Sequence, residues 1–428
     1  MKLNNENQKK SFLIYGLGKS GISSFKFLNQ KNKCFVYDDD RKIHTNKFKK
    51  NFISKSKLIN KNFDNIIVSP GININKCQLT HYLKKNRKKI ITDLDIFYKF
   101  NPRIPTFTIT GTNGKSTTCK LLYEILKNHH YDVRLTGNIG KPILDEKNVN
   151  QKTIFVVEVS SYQLDYSKYF KSKISLILNI SPDHLERHNS LKKYILSKLK
   201  CITKQKKNDI AIIPNEKLIK NLLRYKNIKS KIIFLKKNKY SYLKKKLKNN
   251  NFINSVNFDN LNFLFELSEY LKLNKETVLK TVNNFKPLKY RQEVIYKSKY
   301  LEIINDSKST TLSSTTPFLK TNKNVHWILG GLIKKGDKFN LNKKYYKNLE
   351  AYIYGKDKNI FYNLLKNKFK ITLTEDLKQS IKLISKLKKL RKKIIILFSP
   401  SAASFDQYKN FEDRGEHFNT LIKKYLLR

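Results

Sequence analysis

A run of glycine, lysine and hydroxyl residues at positions 111–118 has the composition of a phosphate-binding loop. Its spacing is G-x-x-G-K-S, which is shorter than the general P-loop pattern because Ile109 stands where that pattern has its first glycine. In such loops the glycines let backbone N–H groups turn toward phosphates, and the lysine, here Lys115, reaches the terminal ones. The next hydroxyl, Ser116, is placed to bind Mg²⁺. The pattern favours a nucleotide site over an ordinary glycine-rich turn.

An acid ends an apolar segment farther along the chain. Residues 153–159 are strongly apolar except for Glu158. Magnesium prefers oxygen ligands and bridges to nucleotide phosphates, so a carboxylate at the end of a buried strand suits a magnesium ligand. The alternative is a strand-end acid that faces solvent. The phosphate loop in the same chain favours the magnesium role.

Two histidines, His184 and His188, follow a second apolar run at residues 174–180. Their spacing would let them chelate zinc from one helix, but no acid stands at the position that zinc-helix motifs require. The competing explanation is that His184, at the end of its strand, joins Glu158 at a metal. The roles without chemistry are a helix N-cap for Asp183 and solvent exposure for His188.

A phosphate loop needs a strand before it and a helix after it, and the sequence predicts both. Residues 105–110 are apolar and β-branched, which is typical of a strand. After the loop, one face of a helix would carry the apolar residues Leu121, Leu122, Ile125 and Leu126. The sequence therefore predicts strand, loop and helix in the order that such a site requires.

The N-terminal segment predicts a second ligand-binding turn. A strand over residues 11–15 runs into glycines at 16, 18 and 21, and a second strand over 34–37 ends in the acids 38–40. This arrangement resembles half of a dinucleotide-type βαβ unit, in which Asp38 could accept hydrogen bonds from a ligand. A redox cofactor and a uridine or ribose ligand both stay open, as does a simple chain reversal.

A third predicted strand over residues 65–68 ends in a turn that contains Gly71. Ligands of open α/β sheets bind at the carboxyl ends of strands, so this turn is a further candidate. Chain reversal is again the alternative.

The composition bounds the class of protein. With 428 residues, of which 39% are hydrophobic, we expect about three globular domains. The net charge of +56 invites a nucleic-acid interpretation. The lysines are spread along the chain among Asn, Ile, Phe and Tyr, which favours a composition bias over a dedicated nucleic-acid surface. Such a charge still predicts salt-sensitive attraction to polyanions.

Cysteines and apolar runs bear on the compartment. The four cysteines are far apart and form no C-x-x-C pair, which argues against a disulfide framework and against a zinc ribbon. No apolar run approaches the roughly 18 residues of a membrane helix, and the N-terminus is interrupted by glycines rather than built as a signal peptide. We expect a cytoplasmic protein with no membrane partner.

Two connectors predict the domain boundaries. Residues 100–105 carry two prolines in a polar segment, and residues 285–287 lie between a helical stretch and a new strand over 300–304. The expected domains are 1–103, 104–290 and 291–428. The Lys/Asn-rich stretch 236–251 is expected to be a solvated loop or helix face.

Several motifs together resemble one protein family. The middle of the chain resembles the central domain of the Mur ligase superfamily at residues 111–118, 158–164 and 179–188. The last third resembles the D-glutamate-adding branch of that superfamily at residues 305–310, 330–334 and 399–415. The resemblance implies three α/β domains, namely a Rossmann-like UDP-binding domain, a central P-loop-type ATPase domain with a largely parallel sheet, and a Rossmann-like C-terminal domain.

The resemblance also implies a reaction. ATP would phosphorylate the carboxylate of UDP-N-acetylmuramoyl-L-alanine, and the amine of D-glutamate would attack the acyl phosphate, in a peptidoglycan precursor pathway. Both substrates are small molecules, no specific nucleic acid takes part, and a monomer is expected. The alternatives are another Mur-type or folylpolyglutamate-type amino-acid ligase, a nucleic-acid-binding protein that retains the fold, and a decayed copy.

The nucleotide contacts are implied by the loop and by later positions. Asn257 and Asn260 match an adenine-proximal N-x-x-N pattern, although Val256 stands where relatives commonly have His. Arg291 and Asp306 match residues that bridge the nucleotide from the third domain. The implied nucleotide-binding residues are Gly111, Thr112, Asn113, Gly114, Lys115, Ser116, Thr117, Asn257, Asn260, Arg291 and Asp306.

The resemblance implies two Mg²⁺ ions. Ser116 and Glu158 would hold the first, and Glu158 with His184 the second. Lys198 matches the family lysine that CO₂ carbamylates, which turns a cation into an anionic oxygen ligand. Carbamylation requires a neutral lysine, so the ammonium form must be locally disfavoured. The implied catalytic residues are Lys115, Glu158, His184 and Lys198, and the metal-binding ones are Ser116, Glu158, His184 and Lys198.

Substrate contacts are implied in all three domains. Asp38 and Gly71 would lie near the uridine, and Asn138 and Ser160 would contact the muramoyl group. The residues that would surround D-glutamate are Lys308, Thr310, Lys334, Ser404 and Phe411. Two nearby positions depart from the family, because Tyr290 replaces a common His and Thr311 replaces the usual Asn.

Overall fold

The computed structural model describes residues 9–40, 48–249, 252, 255–334, 337–386 and 393–427. The chain divides into two compact units. The first unit contains Met1–Ser181, Arg187–Leu243 and Asp259–Val282, and the second contains Pro182–Glu186, Lys244–Phe258 and Asn283–Arg428. Two β-sheets belong to the first unit and a third sheet belongs to the second.

The N-terminal sheet has the strand order β2-β1-β3-β4, and its strands run parallel. Its strands are β1 (Ser11–Tyr15), β2 (Lys33–Tyr37), β3 (Asn65–Val68) and β4 (Ile90–Ile91). Its helices are α1 (Lys19–Leu28), α2 (Lys55–Ile59), α3 (Thr80–Lys85) and α4 (Asp93–Phe100), with a short 3-10 helix at Arg87–Lys89. The predictions for β1 and β3 are confirmed at both ends, and β2 starts one residue before its predicted start.

The glycine turn after β1 is sterically required. Gly16 has a φ of +93°, and a Cβ there would lie 2.7 Å from the Cβ of Ser69. The Ser69 hydroxyl donates a 2.6 Å hydrogen bond to the Gly16 carbonyl. The first glycine turn and the turn after β3 therefore pack directly against each other at the carboxyl end of the sheet.

The central sheet has six parallel strands in the order β10-β9-β8-β5-β7-β6. They are β5 (Thr106–Thr110), β6 (Val133–Gly137), β7 (Ile154–Glu158), β8 (Ile174–Ile177), β9 (Ile210–Pro214) and β10 (Lys231–Leu235). The helices of this segment are α5 (Lys115–Asn128), α6 (Ser161–Tyr166), α7 (Leu185–His188), α8 (Leu191–Thr203), α9 (Lys217–Arg224), α10 (Ser255–Tyr270) and α11 (Lys275–Asn284). Short 3-10 helices lie at Ile143–Asp145 and Ser241–Lys246.

The strand order of the central sheet determines where the phosphate loop lies. Strand β5, which leads into the phosphate loop, lies between β7 and β8. Strands that are covered on both faces appear in sequence as continuous apolar runs, and all five residues of β5 and of β7 are buried. The predicted strand before the loop and the amphipathic helix after it are confirmed, and Leu121, Leu122, Ile125 and Leu126 are buried.

The C-terminal sheet has the order β11-β12-β16-β13-β14-β15, in which β11 alone pairs antiparallel. Its strands are β11 (Glu293–Lys297), β12 (Leu301–Asn305), β13 (Val325–Gly330), β14 (Leu349–Tyr354), β15 (Lys370–Leu373) and β16 (Ile394–Phe398). Its helices are α12 (Leu312–Thr321), α13 (Lys358–Leu365), α14 (Leu377–Ser385) and α15 (Phe411–Tyr425), with a 3-10 helix at Lys343–Asn348.

Each unit has its own apolar core. In the first unit the core continues from the N-terminal sheet into the central sheet, where the rings of Phe97 and Phe155 lie 4.8 Å apart. In the second unit the fully buried Trp327 donates its indole N–H to the Ser399 carbonyl at 2.8 Å. Close packing of this kind fixes the strand ends from which the candidate site residues project.

One organisational prediction was partly wrong. In the Lys/Asn-rich stretch 236–251, Tyr240, Leu243 and Leu247 are buried, because apolar residues recur among the lysines and pack inward. Residues 250 and 251 lie outside the described residues. The four cysteines are unbridged. Across the described ranges no helix combines the length and apolar character needed to span a bilayer.

Candidate active site

Two glycines give the phosphate loop its shape between β5 and α5. Gly111 has a φ of +155° and Gly114 a φ of +81°, a conformation that favours glycine. A Cβ on Gly111 would lie 3.1 Å from the Cβ of Leu178, and a Cβ on Gly114 would lie 2.0 Å from the Asn260 amide nitrogen. The loop is a cradle that side chains would fill.

Lys115 and Ser116 occupy the first turn of α5. The Lys115 ammonium donates hydrogen bonds to the carbonyls of Gly111 at 3.0 Å and Thr112 at 2.8 Å, so it lies over the loop. Ser116 is buried and Thr117 is partly buried. Helix N-termini attract anions through free N–H groups and the helix dipole, so this turn suits polyphosphate.

Asn179 holds the loop in place, a role that was not predicted from the sequence. Its side-chain oxygen accepts the Asn113 N–H at 2.8 Å, and its amide nitrogen donates to the Asn113 carbonyl at 2.8 Å. The same nitrogen donates to the Asn260 side-chain oxygen at 2.9 Å. Asn260 is thereby placed against the loop. The available signal was a polar residue just beyond β8, the strand beside β5.

Lys198 approaches the loop from α8. It is 1% exposed, and its ammonium donates a 2.8 Å hydrogen bond to the Gly111 carbonyl. It also lies 4.4 Å from the ring centre of Tyr194, whose hydroxyl is 3.1 Å from that of Thr112. Lys198, one of many lysines in this sequence, is therefore buried beside the phosphate loop. Tyr194 was not singled out from the sequence.

Glu158 ends β7 next to the loop strand. It pairs in register with Ile109 of β5 and is 4% exposed. Within the described residues its Oε2 atom is buried without a hydrogen-bond partner. A buried carboxylate oxygen that lacks a partner is costly, and it suits a divalent cation. The Glu158 carbonyl accepts the N–H of the exposed Asn138 at 3.1 Å, which brings the end of β6 to the same edge.

His184 lies before helix α7 with a φ of +55°, not on it. Its Nε2 is 3.3 Å from an Asp183 carboxylate oxygen, and its Nδ1 is 3.7 Å from one of Glu186. His188 is buried and its Nε2 lies 3.0 Å from the Ser161 hydroxyl, so the alternative of solvent exposure for His188 was wrong. The two histidines therefore do not share a helix face as the zinc alternative required.

The predicted metal ligands do not all belong to one unit. Glu158 and Ser116 belong to the first unit and His184 to the second. No group of three or more His, Cys, Asp or Glu side chains gathers as a metal site in the part of the chain that the structure describes. An ion bound by Ser116 and Glu158 would need phosphate or water oxygens to complete its shell, as magnesium commonly has.

The predicted uridine residues lie at the carboxyl edge of the N-terminal sheet. Asp38 accepts the Leu17 N–H at 2.6 Å and the Asp40 N–H at 3.0 Å, so its carboxylate closes the glycine turn. Gly71 is exposed. Arg187 donates to the Gly71 carbonyl at 3.5 Å and to the Ile72 carbonyl at 2.7 Å.

Arg187 connects this turn with the central sheet. Its guanidinium lies 3.9 Å from the ring centre of Tyr162, on helix α6. Ser160 caps that helix, and its hydroxyl accepts the Gln163 N–H at 3.2 Å. The two predicted substrate turns of the first unit are therefore linked by Arg187, for which the sequence predicted no role.

The predicted nucleotide residues of the second unit include a buried acid. Burial raises the pKa of Asp306 to about 7, against the opposing effects of hydrogen bonds from Ser399 and Gln292 and of the Arg291 charge. The Ser399 hydroxyl donates at 2.9 Å and the Gln292 N–H at 3.1 Å. Asn257 is partly buried and stands one helical turn before Asn260 on α10.

Lys308 and Phe411 are brought together. The Lys308 ammonium lies 3.9 Å from the ring centre of Phe411, the first residue of α15. The Lys308 N–H donates to the Tyr290 carbonyl at 3.0 Å, and the Tyr290 hydroxyl donates to Glu416 at 2.8 Å. The tyrosine that departs from the family pattern thus ties Lys308 to α15.

The other predicted glutamate residues lie on neighbouring loops. Lys334 forms a 2.9 Å ion pair with Asp183. Ser404 is buried after β16. Thr310 is partly buried and precedes Thr311, whose hydroxyl caps α12 by accepting the Ser314 N–H at 3.3 Å. Thr311 therefore has a structural function of its own.

Comparison with known proteins gives consistent matches. Residues 109–272 match the model of the Mur ligase middle domain. A Rickettsia bellii protein named UDP-N-acetylmuramoylalanine–D-glutamate ligase is 32% identical, over 96% of this chain and 97% of its own. A Buchnera aphidicola protein of the same name is 34% identical, over 97% and 98%.

Solved structures share the fold. The UDP-N-acetylmuramate-alanine ligase from Thermotoga maritima is 17% identical with a TM-score of 0.58, covering 97% of this chain and 100% of its own. The MurF ligase from the same organism, in complex with ADP, is 15% identical with a TM-score of 0.57, covering 99% and 97%. At these identities the likeness concerns the three-domain α/β fold.

Proposed function

The chain belongs to the Mur ligase family, and we propose that it is a member that joins D-glutamate to UDP-N-acetylmuramoyl-L-alanine. As a member of that family it is an ATP-dependent ligase of peptidoglycan synthesis. The proposal includes a cytoplasmic monomer with domains 1–103, 104–290 and 291–428 for the UDP-linked substrate, ATP and the amino acid. The observation that carries it is the phosphate loop beside Lys198 and the unpartnered oxygen of Glu158.

The chemistry explains why ATP is needed. Amide formation from a free carboxylate is uphill, so the substrate carboxylate first attacks the γ-phosphorus, forming an acyl phosphate and releasing ADP. The neutral amine of D-glutamate then attacks the acyl carbon through a tetrahedral intermediate. The C–O bond breaks, inorganic phosphate leaves, and the amine gives up a proton. The protein mainly positions the reactants and neutralises charge.

The loop supports the assignment of the nucleotide. Lys115 would neutralise the β- and γ-phosphates while the N–H groups of residues 111–117 surround them. Asn260, held against the loop by Asn179, would lie near the adenine with Asn257. Arg291 and Asp306 would contact the nucleotide from the C-terminal domain.

The residues beside the loop fit magnesium. Ser116 and Glu158 would hold one ion, and Glu158, His184 and a carbamylated Lys198 a second. Bound magnesium would neutralise the charge that develops on the transferring phosphoryl group. The position of Lys198 supports carbamylation, because the side chain is buried beside the phosphate loop, where a carbamate would supply an anionic oxygen ligand for the ion.

The substrate ends are assigned to separate turns. Asp38 and Gly71 would lie near the uridine, and Asn138 and Ser160 near the muramoyl group. D-Glutamate carries two carboxylates, which Lys308 and Lys334 would neutralise. The remaining residues proposed for that pocket are Thr310, Ser404 and Phe411.

Phosphate release tests the proposal. Purified chain with ATP, Mg²⁺ and UDP-N-acetylmuramoyl-L-alanine should release phosphate at a steady rate only when D-glutamate is added. Lys115→Ala should abolish turnover, whereas Lys127→Ala, an exposed position on the same helix, should not.

Assays with other substrates distinguish the proposed function from its alternatives. Turnover when L-alanine, diaminopimelate or a glutamyl-folate replaces D-glutamate would support another ligase of the family. RNA binding that survives high salt, without ATP turnover, would support the nucleic-acid alternative. If the chain releases no phosphate under all of these conditions, the assignment is contradicted.

A further inference from the structure

Arg414, on the first turns of helix α15, is a buried cation at the centre of the C-terminal loops. It is 1% exposed. Its Nε donates to the Ser307 hydroxyl at 3.1 Å, and its Nη2 donates to the carbonyls of Ser307 at 2.7 Å and Ala402 at 3.1 Å. One side chain therefore holds two loops that are about a hundred residues apart in the chain.

One nitrogen of the guanidinium lacks a hydrogen bond. Its Nη1 is buried without a hydrogen-bond partner among the described residues, although the charges of Asp406 and Asp306 act on the guanidinium. A Cβ added to Gly331 would lie 3.4 Å from this nitrogen, so Nη1 faces the turn after β13. Burial lowers the pKa of Arg414 and the charges of Asp406 and Asp306 oppose that effect, so the cation is partly compensated, and its unused donor lies beside the loops that follow β12, β13 and β16.

The loops that Arg414 contacts are the ones that carry the proposed amino-acid pocket. Ser307 directly precedes Lys308, Ala402 lies two residues before Ser404, and Gly331 lies three before Lys334. These loops follow β12, β16 and β13, which are consecutive neighbours in the sheet. Their carboxyl ends therefore share one edge, with Arg414 beneath it.

Helix α15 is fixed to the same loops by further contacts. The Ser307 hydroxyl donates to the Phe411 carbonyl at 2.8 Å, and the Asn305 amide donates to the Gly415 carbonyl at 2.9 Å. Movement of the Arg414 backbone would shift Phe411 and, through its ring, the Lys308 ammonium.

We propose that Arg414 is a positioning residue for the amino-acid pocket, holding the loops of Lys308 and Ser404 in register and adding positive charge beneath the carboxylates of the substrate. The inference rests on the proposed function. It predicts a larger effect on D-glutamate than on ATP or the UDP-linked substrate, because the phosphate loop and the N-terminal turns lie on other sheets.

Two substitutions separate geometry from charge. Arg414→Lys keeps the cation but loses the planar fork, and Arg414→Met keeps much of the stem and loses the charge. The KM for D-glutamate should rise at least about tenfold in Arg414→Met, with a smaller rise in Arg414→Lys. The KM values for ATP and for the UDP-linked substrate should change by less than about threefold. Lys423→Met, exposed on the same helix, is the matched control.

A milder variant covers the case in which both substitutions prevent folding. Ser307→Ala removes one acceptor of the guanidinium and one donor to Phe411, and should raise the KM for D-glutamate several-fold. If the variants are folded and active but their KM for D-glutamate is unchanged, or rises together with the KM for ATP, the role of Arg414 is overturned. The proposed function would still stand in that case. Wild-type chain that releases no phosphate would overturn the proposed function and this inference with it.

Discussion

Gly114 and Asn260 are in such close contact that a single added Cβ on the glycine would come within 2.0 Å of the asparagine amide nitrogen. The two residues are far apart in sequence. Asn179 links Asn260 to the loop by donating hydrogen bonds to Asn260 and to Asn113, the neighbour of Gly114. The phosphate loop is therefore shaped from both sides, by its own backbone and by helix α10. Its geometry depends on this helix as much as on the glycines.

Gly114→Ala should disable the loop without unfolding the chain. The residue has a φ of +81°, which adds about 1–2 kcal/mol of strain to the clash with Asn260. We expect phosphate release to fall about a hundredfold or more, since displacing reacting groups by 1 Å has that effect. Steady-state phosphate release with circular dichroism checks this. Normal turnover in a folded variant would contradict the required conformation.

Asn179 should set the affinity for ATP. Asn179→Ala removes three side-chain hydrogen bonds, each worth about 1 kcal/mol, so the KM for ATP should rise by at least about tenfold. Asn179→Asp keeps an acceptor for the Asn113 N–H but loses both donated hydrogen bonds, and its negative charge would repel phosphate. We therefore expect a comparable rise in the KM for ATP. An unchanged KM for ATP in both variants would exclude this role.

Lys198 should carry a carbamate. Lys198→Ala should cripple turnover, and short carboxylates such as acetate should restore part of it by supplying an oxygen ligand. With ¹³C-bicarbonate, the wild-type NMR spectrum should show a carbamate signal that Lys198→Ala lacks and Lys193→Ala, exposed on the same helix, retains. A wild-type spectrum without that signal would refute the modification even if the enzyme is active.

Asp306 should make the stability of the C-terminal core depend on pH. Its folded pKa of about 7 lies above the ordinary 3.8, so its contribution to stability is full below about pH 4 and is lost as the pH rises through 7. Asp306→Asn should therefore stabilise the core at pH 8, by at most about 4 kcal/mol, and change little at pH 4.

The single tryptophan reports on that prediction. Trp327 is buried in the same core and donates to the Ser399 carbonyl, so its fluorescence follows unfolding there. Glu375→Gln, at an exposed acid, is the control. An equal effect of Asp306→Asn at both pH values would contradict the raised pKa.

Local signals were enough to predict the elements that carry the site. Runs rich in apolar or β-branched residues predicted β1, β3, β5 and β7, because buried parallel strands carry few charged residues on either face. The glycine-lysine spacing predicted the loop because few residues tolerate its dihedral angles. The same patterns could not predict that His184 stands outside its helix or that His188 is buried.

By itself, then, the sequence determined the order of strands and helices, the phosphate loop, and the family-like motifs at the strand ends. Only the tertiary structure decided which of those ends meet. Asn179 reaches Asn260 across 81 residues, and Arg414 reaches Ser307 across 107. Such contacts follow from strand order in the parallel sheets, since crossover connections bring distant segments to one edge.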